Sequence, residues 1–203
     1  MWVRLKSIKQ VDVNGRARSH YPGEWVDVGK QTALAWIAVG DAERPDVPDM
    51  TVLEGCGIVS ANSSLAKTIF PGLDVTESNQ PVIPYTRTLY WGAGKLKPNP
   101  ELIINGFNLL ERWEVCAPIY SYTMLASEIA SGAEYERALA VLRDLRVLFY
   151  EPGFVFLRQG RTAKKLLEVW NQESNFYNGR LAFLVALYKV KPLLMALPVE
   201  WIR

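Results

Sequence analysis

Along the chain, short runs of apolar residues alternate with stretches in which apolar residues recur every three or four positions, as they do on one face of a helix. The order is clearest over residues 88–118, where a β-branched and aromatic stretch, 88–91, meets a glycine-rich loop. Asn99 and Pro100 then supply an N-cap side chain and a proline for the first helical position. The pattern predicts a strand, a loop, a helix that begins at Pro100 and packs on a sheet, and a second strand over 115–118.

The same alternation predicts a mixed α/β domain over residues 54–203. A strand is expected over 55–60, and Asn62 caps a helix that runs to about Phe70. Residues 71–85 contain three prolines and little periodicity, so we expect an ordered loop there and correspondingly less sheet. The other expected elements are helices over 121–131, 133–146 and 162–173, and strands over 147–150 and 154–158.

Residues 1–44 have the pattern of a separate small β-rich module, a β-hairpin plus a helix. Short apolar runs over 2–8 and 11–13 predict strands, and Asn14-Gly15 is a strong signal for a two-residue hairpin turn. A third strand is expected over 24–28, followed by a helix over 30–39 that ends at Gly40. Residues 45–53 contain two prolines and two aspartates and form the predicted linker.

Composition narrows the class of protein. The chain has 203 residues, of which 49% are hydrophobic, and a formal net charge of +2, so it carries no general attraction for nucleic acid or for an anionic membrane. Charges interrupt both the N-terminus and the apolar tract 181–199, so we expect no signal peptide, no membrane span and cytoplasmic synthesis. Cys56 and Cys116 fall in predicted strands, which favours buried free thiols over a disulfide.

Several weak motifs, in order, carry a family resemblance. They are the strand–loop–helix–strand stretch 88–118, then YEPGFVFLR at 150–158, TAKKLLEVWNQE at 162–173, GRLAFL at 179–184 and LPVEW at 197–201. From about Glu54 onward the chain resembles the nucleotide-diphospho-sugar transferases, the GT-A glycosyltransferases. The resemblance implies a GT-A-like mixed sheet flanked by helices, and a nucleotide-sugar cleft at the end of the strand 88–91.

The departures from that family concern its metal-binding carboxylates. Gly92-Ala93-Gly94 stands where the family has Asp-x-Asp, and Gly179-Arg180 stands where it has Asp-Gln. Hard divalent cations bind oxygen ligands, which glycine side chains do not offer. No acidic residue lies between Glu77 and Glu101, and the single histidine, His20, is in the small module. We therefore expect a degenerate cleft with no metal, no other cofactor and no catalytic residue.

Three groups of residues are the candidate functional sites. The first is the degenerate cleft. The second is a basic run, suited to a phosphate, an acidic partner surface or encapsidated DNA, although a plain solubilising patch is the alternative. The third is a set of tryptophans in the small module, which could form a contact surface or simply its core. The groups are Trp91, Gly92, Ala93, Gly94, Lys95, Glu151, Gly153, Gly179 and Arg180; Arg158, Arg161, Lys164 and Lys165; and Trp2, Trp25 and Trp36.

Three functions fit these residues. The favoured one is a non-catalytic glycosyltransferase-like domain used as a structural or interaction protein, since a fold can persist after its site is lost. The order of the small module, a strand, Asn14-Gly15, Pro22-Gly23-Glu24, a strand, a short helix and Gly40-Asp41-Ala42-Glu43, resembles small modules of tailed-phage virion proteins and favours a phage particle. The partners of the chain would then be other structural proteins of a multi-copy assembly, and the chain would reside in the virion. The alternatives are a metal-independent glycosyltransferase, in which Lys95, Lys97 or Arg180 replaces the cation, and a sugar- or nucleotide-binding module without turnover. No groove-binding motif predicts sequence-specific nucleic-acid recognition.

Overall fold

The structure is a computed structural model that describes residues 2–13, 16–43, 53–92, 100–122 and 124–202. Two regular regions lie on either side of the segment 44–52: a small module and a larger α/β domain. The elements of the small module are β1 (Trp2–Leu5), β2 (Lys9–Val13), β3 (Arg16–His20), β4 (Trp25–Asp27), α1 (Lys30–Ala38) and β5 (Ala42–Glu43).

The small module is built on two antiparallel pairings and one helix. β1 lies between β4 and β5, and β2 pairs with β3 so that Val13 faces Arg16 across a two-residue connection. That register confirms the predicted hairpin, although Asn14 and Gly15 themselves lie outside the described residues. α1 ends as predicted, because Gly40 takes a φ of +79° that disfavours other residues. The module has its own small core, made of Val3, Leu5, Val26, Ala33 and Ala42.

The larger domain is a six-stranded mixed sheet with helices on both faces. Its elements are β6 (Cys56–Ser60), α2 (Ser63–Ile69), β7 (Asp74–Glu77), β8 (Arg87–Trp91), α3 (Pro100–Leu109), β9 (Val115–Pro118), α4 (Ala126–Ile129), α5 (Ala133–Leu142), β10 (Phe154–Arg158), α6 (Arg161–Glu173), α7 (Gly179–Val190), β11 (Leu194–Leu197) and a final 3₁₀ turn, Val199–Ile202. The strand order is β11-β9-β10-β8-β6-β7, and β10 is antiparallel to both of its neighbours. All other neighbouring pairs are parallel.

Alternate residues of the central strands feed two separate cores, one on each face of the sheet. In β10, Phe154 and Phe156 face the layer that contains α2 and α3, whereas Val155 and Leu157 face α5, α6 and α7. Both faces are therefore covered, as sheets of parallel strands require. The prediction that α3 packs one apolar face on the sheet is confirmed, because Ile103, Phe107 and Leu110 are all fully buried.

Three expectations for the larger domain were wrong, and one strand was not predicted. Residues 71–85 are not only loop, because β7 lies within them and extends the sheet beyond β6. The strand expected over 147–150 is reduced to one isolated bridge between Ile119 and Tyr150. The helix expected over 121–131 forms only as α4. β11, which pairs with β9, was not predicted at all, because it follows the apolar α7 so closely that the two read as one run.

Candidate functional site

The candidate cleft lies where β8 ends, and Trp91 closes that strand. Its side chain is only 1% exposed and meets Phe70 edge to face at 6.2 Å on the face that carries α2 and α3. The Trp91 indole Nε1 is buried without a hydrogen-bond partner among the described residues. Trp91 is thus a core residue and does not present its ring to a ligand.

Gly92 lies against the turn that precedes β10. The Gly92 N–H donates to the Gly153 carbonyl at 2.8 Å, and a Cβ built on Gly92 would lie 3.3 Å from the Gly153 Cα. Gly153 is held in turn by Glu151, whose Oε1 accepts from the Gly153 N–H at 3.0 Å. A side chain at position 92 would push against backbone that is itself hydrogen bonded. The close approach therefore gives a packing reason for glycine where a metal-binding aspartate was the alternative.

Arg180 reaches the same turn from the first turn of α7. Its guanidinium lies 4.0 Å from the centre of the Tyr120 ring, and one terminal nitrogen is 3.4 Å from Glu151 Oε2. Stacking on Tyr120 and pairing with Glu151 fix the guanidinium plane. The arginine side chain remains 41% exposed and the glutamate 16% exposed, so the pair lies at the surface of the cleft. The Arg180 Nε is buried and has no partner among the described residues.

Gly92, Gly153, Glu151 and Arg180 are therefore linked to one another at the end of β8, whereas the Trp91 side chain belongs to the core on the α2 and α3 face. Gly179 is different. It is exposed at the first helical position of α7, where the Asn178 side chain caps the helix by accepting from the Leu181 N–H at 3.1 Å. Gly179 lines a groove beside α6 instead of the Gly92 contact. Ala93, Gly94 and Lys95, which were also predicted to line the cleft, lie outside the described residues.

Among the described residues, the cleft offers one carboxylate, that of Glu151, and one guanidinium, that of Arg180. Within the ranges that the structure describes, no three His, Cys, Asp or Glu side chains come close enough together to hold a metal ion. Glu151 is committed to the Gly153 N–H and to Arg180. What the arrangement can do chemically is donate hydrogen bonds from Arg180 to an anion, at the cost of weakening its contact with Glu151.

The predicted basic run divides between two surfaces. Arg158 extends from β10 towards the end of α3, where its Nη1 donates to the carbonyls of Leu110 and Glu111 at 3.3 and 3.1 Å. It thereby satisfies carbonyl groups just beyond the end of that helix. Arg161, Lys164 and Lys165 lie at the start of α6 around a depression of about 880 Å³. Only these three remain as a shared basic surface.

The tryptophans of the small module do not form one exposed set. Trp36 is partly buried against the module's core, with Lys9 Nζ 5.6 Å from its ring centre. Trp25 is partly buried at the start of β4, and Trp2 pairs through its backbone with Asp27. Trp36 therefore contributes to the core that the alternative interpretation expected.

The two cysteines carry no accessible chemistry. Both are buried free thiols, as predicted. Burial raises the pKa of the Cys116 thiol from 9.0 to about 12, and burial also raises the pKa of Cys56, an effect that the nearby Arg87 opposes. Because the thiolate is the nucleophilic form, neither residue is poised to attack a substrate.

Sequence reasoning missed a groove between residues 80–83 and α6. The groove has a volume of about 650 Å³, and Ile83, Leu167 and Trp170 are among its lining residues. The sequence does contain a signal for this groove, although it lies in the segment 71–85 that was expected to be only a loop. Pro81 and Pro84 bracket the apolar pair Val82-Ile83, a pattern that suits an exposed extended segment.

Among the described residues, no helix is both long enough and apolar enough to cross a membrane. Comparisons with protein-family models, with curated proteins and with solved structures gave no match to this chain.

Proposed function

We propose that the larger domain is a glycosyltransferase-like scaffold that acts by binding and not by catalysis. On this proposal the chain is a structural or interaction protein of a multi-copy assembly, with a tailed-phage particle as the favoured setting. The order β8, α3, β9, β10 and α6 supports the GT-A-like part of the proposal, because the YEPGFVFLR motif contains a strand and the TAKKLLEVWNQE motif a helix, as the resemblance implies.

One observation carries the loss of catalysis. At the end of β8, where the resembled family places metal-binding carboxylates, Gly92 is bonded to Gly153, and a Cβ at position 92 would make a tight contact of 3.3 Å with the Gly153 Cα. The one acid nearby, Glu151, is occupied by the Gly153 N–H and by Arg180. The groups that would neutralise a departing diphosphate through a cation are replaced by contacts that hold the turn in place.

Arg180 is the reason to retain a second candidate, a metal-independent transferase. Its guanidinium is partly exposed, its Nε lacks a partner among the described residues, and a guanidinium binds a diphosphate in bidentate fashion. Against this candidate, Glu151 already neutralises Arg180 and Tyr120 covers one face of its guanidinium. A diphosphate would have to displace the Glu151 contact.

Calorimetric titration with a panel of nucleotide sugars, with and without Mn²⁺, separates these candidates. The scaffold proposal expects no heat and no change in melting temperature with any of them. Binding that needs Mn²⁺ would refute it. Metal-independent binding that Arg180→Ala removes would favour the second candidate. Arg137→Ala is the matched control, because Arg137 also stacks on an aromatic ring, that of Phe176 at 5.5 Å.

The assembly part of the proposal has its own test. Mass spectrometry of purified particles from the natural source should detect the chain at a fixed copy number relative to the major structural protein. A chain found only in the unassembled fraction would contradict the assembly role and leave the conclusion about catalysis untouched.

A further inference from the structure

The groove beside α6 has the shape and chemistry of a recognition site. Its volume of about 650 Å³ lies within the range typical of binding pockets. Ile83, Leu167 and Trp170 give it an apolar surface, and Val82 on its rim is 39% exposed. Trp170 is held in place by Phe183, at a centroid distance of 4.5 Å, and by Tyr90 at 6.2 Å. The apolar surface is therefore already formed.

The wall opposite α6 is anchored at both ends. At one end, the Tyr90 hydroxyl donates to the Asn79 carbonyl at 3.2 Å. At the other, the hydroxyls of Tyr85 and Thr76 lie 2.8 Å apart, and the Gln159 N–H donates to the Thr86 carbonyl at 2.8 Å. Within the segment 80–83, Gln80 exchanges hydrogen bonds with the Ser78 hydroxyl at 3.1 and 2.8 Å, whereas residues 81–83 make none to another described residue.

The backbone of that wall is available to a ligand. Val82 and Ile83 make no hydrogen bond to any other residue that the structure describes. The prolines on either side, at 81 and 84, favour an extended backbone and cannot donate hydrogen bonds themselves. An extended backbone with free N–H and C=O groups is the surface on which another extended chain can pair.

Positive charge lies at one end of the groove. Lys164 and Glu168 line both the groove and the 880 Å³ depression at the start of α6, so the two concavities share a wall. Lys165 pairs with Glu168 at 3.3 Å, whereas Arg161 and Lys164 form no ion pair with any described residue. The ligand that complements this surface is apolar over the middle of the groove and acidic towards the start of α6.

We propose that this groove binds an extended, acidic peptide segment of a partner protein. An aliphatic or aromatic side chain of that segment rests against Leu167 and Trp170, its backbone runs along residues 82 and 83, and its carboxylates meet Arg161 and Lys164. The stretch of α6 from Arg161 to Ser174 is about 20 Å long at ~1.5 Å per residue, enough for roughly six residues of extended chain. Gly92, Glu151, Gly153 and Arg180 do not line the groove, so the proposal does not depend on the glycosyltransferase resemblance.

An array of seven-residue peptides tests the specificity. Peptides of the type EDVLVED are compared with a charge-reversed set, KKVLVKK, and with a set that lacks the apolar centre, EDGGGED. The full chain should retain the first set only, and its affinity should fall as salt is raised because the cations are exposed. Retention of the basic or glycine-centred peptides to the same extent, or retention of no peptide at all, would overturn the proposal. So would inorganic phosphate or UDP competing with equal strength for the groove.

Variants locate the binding. Lys164→Glu should weaken the acidic peptide about tenfold or more, whereas Lys67→Glu, the same change at an exposed lysine on α2, should leave it unchanged. Val82→Asp should remove most of the binding, with Val39→Asp in the small module as its control. Circular dichroism checks that each variant is folded. Binding that survives both groove variants would place the peptide elsewhere and refute the proposal. Arg180→Ala should have no effect, which keeps this test distinct from that of the cleft.

Discussion

Gly92→Ala tests the contact on which the proposed absence of catalysis depends. Gly92 does not lie in the left-handed region, so alanine can adopt its backbone conformation, and the only new feature is a methyl group 3.3 Å from the Gly153 Cα. Gly153 resists displacement, because its N–H is bonded to Glu151 at 3.0 Å and its carbonyl to Gly92 at 2.8 Å. Overpacking of this kind costs about 1–3 kcal/mol.

An opposing effect acts through the unfolded state. Replacing glycine by alanine at a compatible position stabilises a protein by about 0.4–1 kcal/mol, since the unfolded chain loses conformational freedom. The net expectation for Gly92→Ala is therefore between no change and a loss of about 2.6 kcal/mol. In a chain of this size each kcal/mol corresponds to roughly 2–4 °C in melting temperature. Urea unfolding followed by circular dichroism measures the difference.

Gly179→Ala is the matched control, because Gly179 is the other glycine that stands where the resembled family has an aspartate. Nothing lies within 4 Å of a Cβ at Gly179, which begins α7 and also has no left-handed φ. This variant should be more stable than the natural chain by the full unfolded-state effect. If Gly92→Ala is stabilised as much as Gly179→Ala, the backbone approach at Gly153 is not tight. The packing argument against a carboxylate at position 92 then fails.

Three further predictions concern the core and the small module. Gly106→Ala should destabilise the domain by about 1–3 kcal/mol, because the new Cβ would lie 2.1 Å from the Phe156 ring. This loss outweighs a gain in helix propensity of about 1 kcal/mol. Urea unfolding should show that adding Phe156→Leu recovers part of the lost stability. Cys116 should resist alkylation at pH 8 in the folded chain, since raising its pKa from 9.0 to about 12 lowers the thiolate population about a thousandfold; modification as fast as in urea would contradict its burial. The Asp41 carboxylate accepts hydrogen bonds from Lys9 at 2.6 Å and from Ser7 at 2.8 Å, which lower its pKa from 3.8. The contribution of these contacts to stability is therefore present above about pH 3.8 and is lost as the pH falls through the lowered pKa. Hydrogen exchange of β1 should therefore be faster in Asp41→Asn than in the natural chain at pH 7, and this difference should shrink as the pH falls below 3.8 and through the lowered pKa.

Much of the fold follows from the spacing of apolar residues, because each central element carries a strong local signal. The stripe at Ile103 and Phe107 marks the buried side of α3, and Asn62 caps α2 by accepting from the Leu65 N–H at 3.0 Å. Gly40 marks the end of α1 through its positive φ. Local signals of this kind survive in the folded chain because they agree with the tertiary packing.

The elements that were missed lie at the sheet edges or depend on partners distant in sequence. β7 is a polar edge strand with Asp74 and Glu77 at its ends, and charged residues are what edge strands use against association. β11 is separated from α7 only by a short turn, which Lys191 opens with a φ of 53°. Neither the polar edge strand β7 nor the turn before β11 alters the periodicity of apolar residues from which the elements were predicted. The position of Arg158 against the end of α3 likewise has no local signal, because its acceptors, Leu110 and Glu111, come from a distant part of the chain.

The topology explains why the cleft residues meet although they are far apart in sequence. β6, β8 and β9 are parallel, so the segments that follow β8 and β9 emerge at the same edge of the sheet, where open α/β folds commonly bind ligands. β10 runs the other way between β8 and β9, and so the turn that precedes it, with Glu151 and Gly153, arrives at that edge too. Tyr120 follows β9 and stacks on Arg180, which completes the set. The strand arrangement thus supplies the location of a site, in which Glu151 pairs with Arg180 and with the Gly153 N–H. The proposed binding role is compatible with this arrangement, since a fold can persist without the chemistry of its cleft.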